Sequence, residues 1–103
     1  MKPTKQQILD EPAGPKLDAW FDKLVMKRNR EDWELAIENY SPSTKIAHAM
    51  EGVEQFEIFL LYWIKKENLW ICVVYDPRIE TTAKTKELAI TRARLLWAIE
   101  KEE

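Results

Sequence analysis

The chain has 103 residues, which is enough for one domain of ordinary size and too few for two. Hydrophobic residues make up 46% of it and charged residues 33%, a balance that excludes a disordered chain. The formal net charge is −2 and acids and bases are mixed along the chain, so the sequence has no basic stripe that would bind nucleic acid.

The glycine and cysteine counts exclude several kinds of site. Two glycines, Gly14 and Gly52, are too few for a glycine-rich phosphate loop. A single cysteine, Cys72, excludes an internal disulfide and a zinc site built from cysteines, and it suits a reducing cytosol. Residues 1–10 lack the apolar core of a signal peptide, and the longest apolar run, 58–64, is too short to span a bilayer. We therefore expect a cytoplasmic protein with no membrane contact, no metal and no cofactor.

Residues 1–14 are predicted to be a polar lead-in, followed by a single domain at 15–103. Gly14 and Pro15 interrupt any earlier helix, and proline suits the first turn of a new one. The first predicted helix spans 15–26, because its apolar residues recur at the spacing of one helical face. Those residues are Leu17, Trp20, Phe21, Leu24 and Val25.

The middle of the chain carries weaker signals. Alternating apolar and polar residues at 33–38 predict an edge strand. A second helix is predicted at 43–54. Ser41 before Pro42 is one candidate for its N-cap, and Ser43 is the other.

The two clearest strands are predicted at 56–64 and 69–75. The short loop between them, 65–68, predicts an antiparallel hairpin. A third helix is predicted at 85–99, with Thr85 as its N-cap. Together these elements predict a domain of the α+β class.

Both faces of the predicted hairpin are apolar, whereas a sheet with one face in water alternates apolar and polar residues. Each face must then be covered, either by helices on both sides or by a partner chain. If helices cover both faces, Trp63 and Trp70 are most simply core residues. If one face is left without a helix, the two tryptophans become candidates for a homodimer interface.

Four segments, taken in order, resemble the phage ABA sandwich family, which comprises small proteins encoded by bacteriophages and prophages. The family has a leucine–aspartate–alanine helix that ends in valine–methionine, and a last helix that carries alanine–isoleucine–cysteine–arginine–alanine. The matching segments are Gln7-Ile8-Leu9 with Pro12-Ala13-Gly14, Leu17-Asp18-Ala19 with Val25-Met26, Tyr40-Ser41-Pro42-Ser43-Thr44-Lys45-Ile46-Ala47, and Thr85 with Leu88-Ala89-Ile90-Thr91-Arg92-Ala93 and Leu95-Leu96.

The resemblance implies a three-layer helix–sheet–helix sandwich and a phage origin, and it implies no biochemical activity. The chain departs from the family pattern at three positions. Lys27 stands where the family has glycine, Thr91 where it favours cysteine, and Lys45 where it tends to have aspartate. An activity that depended on those positions would be altered in this member.

Arg92 needs an explanation, because apolar residues surround it on the predicted third helix and a buried guanidinium needs a partner. We favour a structural interpretation, in which Arg92 pairs with Asp18 or extends its charged end into water. In the alternative, Arg92 binds an anion together with the start of the second helix at Ser43 and Thr44.

The sequence offers no catalytic constellation. His48, the single histidine, points away from the apolar stripe of its predicted helix, so we expect a surface residue and no serine–histidine–acid relay. Cys72 lies in an apolar strand with no basic neighbour in sequence, so we expect an inert buried thiol. We therefore predict a protein that is not an enzyme.

The sequence is consistent with two functions. The first is a non-enzymatic phage or prophage accessory protein that binds a host or phage protein. The alternative is a protein that sequesters a small anionic, nucleotide-like ligand and so counters host defence. Arg92, Asp18, Ser43 and Thr44 are the predicted ligand-binding residues, and Trp63 and Trp70 are the predicted interface residues.

Overall fold

The computed structural model describes residues 3–27 and 41–102. The helices in these two segments are α1 (Lys5–Asp10), α2 (Pro15–Leu24), α3 (Ile46–Ala49) and α4 (Lys86–Glu102), with a single 3₁₀ turn at Val53–Gln55. The strands are β1 (Phe59–Ile64), β2 (Leu69–Val74) and β3 (Ile79–Ala83). The edge strand predicted at 33–38 lies outside the residues that the structure describes. The α+β class is confirmed.

Helix α1 forms within the predicted polar lead-in. Thr4 accepts a hydrogen bond from the backbone N–H of Gln7, and the Gln7 side chain accepts one from the backbone N–H of Thr4. This reciprocal capping box satisfies two N–H groups that the first turn leaves without partners. Ile8 on α1 is fully buried. The lead-in of residues 1–14 therefore contains a helix that contributes to the core.

Helix α2 agrees with the prediction and ends two residues earlier, at Leu24. Pro15 occupies the first turn, where its missing N–H leaves no hydrogen bond unmade. Leu17, Phe21 and Leu24 lie on the buried face, as their helical spacing predicts.

The predicted second helix is much shorter than 43–54. Helix α3 has four residues, and its N-cap position is Lys45, which makes no side-chain capping bond. Neither Ser41 nor Ser43 caps a long helix, so both capping candidates were wrong. Gly52 has a φ angle of 79°, a left-handed conformation that glycine adopts without a steric cost, and it directly precedes the 3₁₀ turn at Val53–Gln55.

Strands β1, β2 and β3 form an antiparallel sheet in that order. The predicted hairpin is confirmed, with Trp63 opposite Trp70, although β1 begins at Phe59 and not at residue 56. Strand β3 was not predicted. Its Thr81 is buried while Glu80 is exposed, which is the alternation of a strand with one covered face.

Helix α4 packs between the sheet and the N-terminal helices. On one side, Ala89, Ile90 and Ala93 contact the sheet residues Cys72 and Val74 in one buried cluster. On the other side, residues from the C-terminal half of α4 form a second cluster with α1 and α2. That cluster consists of Ile8, Leu17, Phe21, Leu24, Leu95, Leu96, Ala98 and Ile99. Thr85 accepts a hydrogen bond from the Leu88 N–H, as predicted for an N-cap.

The two faces of the sheet differ, because cross-strand partners point to the same face and only one face packs on α4. We call the face with Cys72 and Val74 the inner face. The outer face carries Ile58, Leu60, Tyr62, Ile64, Leu69, Ile71 and Val73. Leu60 and Tyr62 of β1 are 45% and 43% exposed, so the outer face is open along this strand.

Candidate functional site

Two of the predicted site residues, Asp18 and Ser43, contact each other. Asp18 on α2 is buried, and its Oδ1 accepts a hydrogen bond from the Ser43 N–H at 2.8 Å. The Ser43 hydroxyl in turn accepts a hydrogen bond from the Gly14 N–H at 3.0 Å. The start of α2 is therefore joined to the segment that precedes α3.

Burial raises the pKa of the Asp18 carboxyl above its ordinary value, because a carboxylate loses hydration inside the protein. Hydrogen bonds from Ser43 and the coulombic effect of the nearby His48 lower the Asp18 pKa, but they do not outweigh burial. Burial therefore disfavours the ionised form of Asp18, although its Oδ1 accepts the hydrogen bond from Ser43.

His48 is half-buried, which differs from the predicted surface position. Its Nδ1 accepts a hydrogen bond from the Ser41 N–H at 2.9 Å, so the ring proton of neutral His48 lies on Nε2. Thr44 is exposed and its hydroxyl donates to the Ser41 carbonyl at 3.4 Å. These contacts fix the turn around residues 41–48, and they give Ser41, Thr44 and His48 structural roles.

Arg92 binds the N-terminal segment. Its Nη2 donates to the Glu11 carbonyl at 2.9 Å, and its side chain is half-buried. Burial lowers the Arg92 pKa, while the Asp10 carboxylate opposes this shift. The partner of Arg92 is therefore a backbone carbonyl and not the Asp18 carboxylate, which binds Ser43.

Among the residues that the structure describes, the most deeply buried cation is Arg94, which was not predicted from the sequence as a site residue. The side chain is 1% exposed, and its Nη1 donates to the Ala49 carbonyl at 2.8 Å and to the Glu51 carbonyl. The guanidinium lies over the rings of Phe21 at 5.1 Å and Phe56 at 5.7 Å, distances at which a cation is attracted to an aromatic face. Arg94 thus joins α4 to the segment after α3.

A cavity of about 300 Å³ lies beside Arg94, between the end of α2, the 3₁₀ turn and the C-terminal half of α4. Two aromatic residues of its described lining, Phe56 and Trp97, are packed edge to face with ring centroids 4.8 Å apart. Trp97 is further held by a hydrogen bond from Nε1 to the Asp76 carbonyl. The described lining consists of Leu24, Val25, Lys27, Gln55, Phe56, Arg94, Trp97, Ala98 and Lys101.

Trp63 and Trp70 lie at the hairpin end of the inner face, with ring centroids 5.3 Å apart. Trp63 is 41% exposed. Trp70 is half-buried against the α4 cluster, and Lys86 lies over its ring at 5.7 Å. Of the two predicted interface residues, Trp63 therefore presents the larger accessible surface.

Cys72 is fully buried, as predicted, and burial raises its pKa to about 12 although the positive charge of Arg94 opposes the shift. At pH 8 the thiolate fraction is then on the order of 10⁻⁴, compared with about a quarter for an ordinary cysteine. We expect the folded protein to react with Ellman's reagent at least about 1,000-fold more slowly than the urea-unfolded chain. Equal rates in the two states would contradict this assignment.

Within residues 3–27 and 41–102, no group of three or more histidine, cysteine, aspartate or glutamate side chains is placed to hold a metal ion. No helix in the same part of the chain combines the length and apolarity needed to cross a membrane. Comparison with known proteins found no matching family model, no similar curated protein and no similar solved structure.

Proposed function

We propose that this chain is a non-enzymatic accessory protein of a phage or prophage, and that it acts in the host cytoplasm by binding a host or phage protein. The observation that supports the proposal is the open outer face of β1. Leu60 and Tyr62 are each more than two-fifths exposed there, and β1 itself contains no charged residue. Contiguous exposed apolar surface is typical of protein-interaction sites.

The position of β1 in the sheet adds to this argument. Strand β1 pairs with β2 on one side only, so it is an edge strand among the strands described. An edge strand offers backbone donors and acceptors to an extended segment of another protein, while its side chains supply apolar contacts. We therefore propose a partner that adds an extended apolar segment along β1.

We also propose that the domain is a three-layer helix–sheet–helix sandwich. Helix α4 is the layer on the inner face. On the outer face, Ile71 and Val73 of β2 are buried, with only 8% and 2% of their surface exposed, although both point away from α4. We propose a second layer over β2 that leaves β1 accessible to the partner.

Site-specific photo-crosslinking in the host cell tests the interaction. With benzoylphenylalanine in place of Tyr62, we expect a discrete covalent adduct to a host or phage protein. The same group in place of Lys23, an exposed residue of α2, is the control and should give none. Adding Leu60→Asp to the Tyr62 variant should reduce the adduct at least about tenfold, because a buried unpaired carboxylate disfavours the complex.

The mass of the adduct distinguishes a second copy of this chain from a host or phage protein as the partner. An adduct of twice the chain mass identifies a homodimer and contradicts a host or phage partner. No adduct at position 62, or equal adducts at positions 62 and 23, contradicts the use of this face.

A further inference from the structure

We infer that the cavity beside Arg94 is a binding site for a small aromatic anion. The cavity lies on the α4 side of the sheet, whereas the proposed protein-binding surface is on the outer face. The inference therefore does not depend on the proposed function, and each can fail separately.

The charge of the described lining favours an anion. Lys27, Arg94 and Lys101 all line the cavity, and its described lining includes no aspartate or glutamate. Lys27 and Lys101 are exposed, and the Lys101 ammonium lies over the Trp97 ring with 5.3 Å to the ring centroid. Two ammonium groups at the opening of the cavity favour a ligand with a carboxylate, phosphate or sulfonate group.

The apolar and aromatic side chains of the lining favour a ligand with an aromatic ring. Leu24, Val25 and Ala98 form apolar surface, and the rings of Phe56 and Trp97 are already fixed by their edge-to-face contact. Rings held in place in this way can pack against a planar ligand without first losing side-chain freedom. Gln55 adds an amide that can donate or accept a hydrogen bond.

The size of the cavity limits the ligand. About 300 Å³ is at the lower end of the range for small-molecule sites, roughly 300–1,000 Å³. A compact aromatic acid fits this volume, with its ring against the apolar wall and its charged group toward Lys27 and Lys101. A polymeric anion would be confined to the opening.

Fluorescence titration with anilinonaphthalene sulfonate tests the inference, because this aromatic anion becomes bright in apolar sites. We expect saturable binding to the intact chain, and weaker binding to the uncharged analogue phenylnaphthylamine. The variant Lys27→Gln/Lys101→Gln should bind the sulfonate about tenfold less tightly, since each exposed charge contact contributes modestly. Its affinity for the uncharged analogue should not change.

Two further variants make the result specific. Lys23→Gln/Lys84→Gln removes the same charge from exposed positions outside the cavity lining and should leave binding unchanged. Ala98→Leu places a larger side chain in the wall and should weaken both probes.

The inference is overturned if Lys27→Gln/Lys101→Gln binds the sulfonate as tightly as the parent chain. It is also overturned if the two double-lysine variants lose equal affinity, because that would indicate a general charge effect. Loss of binding in Leu60→Ser/Tyr62→Ser, with binding retained in Ala98→Leu, would place the probe on the outer face instead.

Discussion

Replacing Arg94 with methionine is expected to lower the free energy of unfolding by about 3 kcal/mol. The substitution removes the donor to the Ala49 and Glu51 carbonyls at a site that is 1% exposed. Leaving buried polar groups without partners costs about 1–3 kcal/mol each. It also removes the cation that lies over Phe21 and Phe56. For a domain of this size, the melting temperature should fall by roughly 12–24 °C.

Arg92→Met is the matched control, because it lies on the same helix and makes one hydrogen bond, to the Glu11 carbonyl, from a half-buried position. We expect it to cost about 1 kcal/mol. Urea denaturation followed by circular dichroism measures both variants. A larger loss in Arg92→Met than in Arg94→Met would mean that Arg94 does not hold the segment after α3.

Asp18→Ala is expected to lower the free energy of unfolding by about 2–3 kcal/mol. The buried Oδ1 accepts the Ser43 N–H, and a hydrogen bond to a charged group contributes about 1.5–3 kcal/mol. Alanine leaves that N–H without a partner inside the protein. Asp18→Asn keeps an oxygen acceptor in the same place and avoids burying a charge, so it should be much closer to the parent chain.

The pH dependence of stability gives a second measure of Asp18. Its pKa is raised in the folded state, so between the unfolded value of 3.8 and the folded value the native protein binds more protons than the unfolded chain. This contribution is therefore fully present below pH 3.8 and is lost as pH rises through the folded pKa. We expect the difference in stability between Asp18→Asn and the parent chain to grow over that interval in favour of the variant. A constant difference would contradict the raised pKa.

The elements that local sequence specifies were predictable. Helix α2 can be predicted from its own apolar stripe, and the β1–β2 hairpin from the short loop between its strands, without information from the rest of the chain. Thr85 was predictable as an N-cap for the same reason. Helix α1 carried a local signal that the prediction did not use, the Thr4 and Gln7 pair of a capping box.

The second predicted helix failed because tertiary contacts override helix propensity there. The segment before α3 binds α2 through Ser43, and Gly52 takes a left-handed conformation beside Arg94. An added Cβ on Gly52 would lie 3.5 Å from Arg94 Nη2. Neither contact joins neighbours in the sequence, so the helical pattern at 43–54 gave no sign of them.

The relative burial of Arg92 and Arg94 could not be predicted from the sequence for a related reason. A helical wheel predicts burial when a helix has one covered side, but α4 packs against the sheet on one side and against α1 and α2 on the other. Apolar residues then surround both arginines, and the wheel cannot rank them. The three-dimensional arrangement makes Arg94 the fully buried one and leaves Arg92 half-buried.

The double role of α4 also bears on how the domain unfolds. Both apolar clusters include residues of this one helix, and Arg94 on it holds the segment after α3. Neither cluster can persist if α4 leaves its place, because each would lose one of its walls. We therefore expect the sheet and the N-terminal helices to melt together in one cooperative, two-state transition, and not as two independent units.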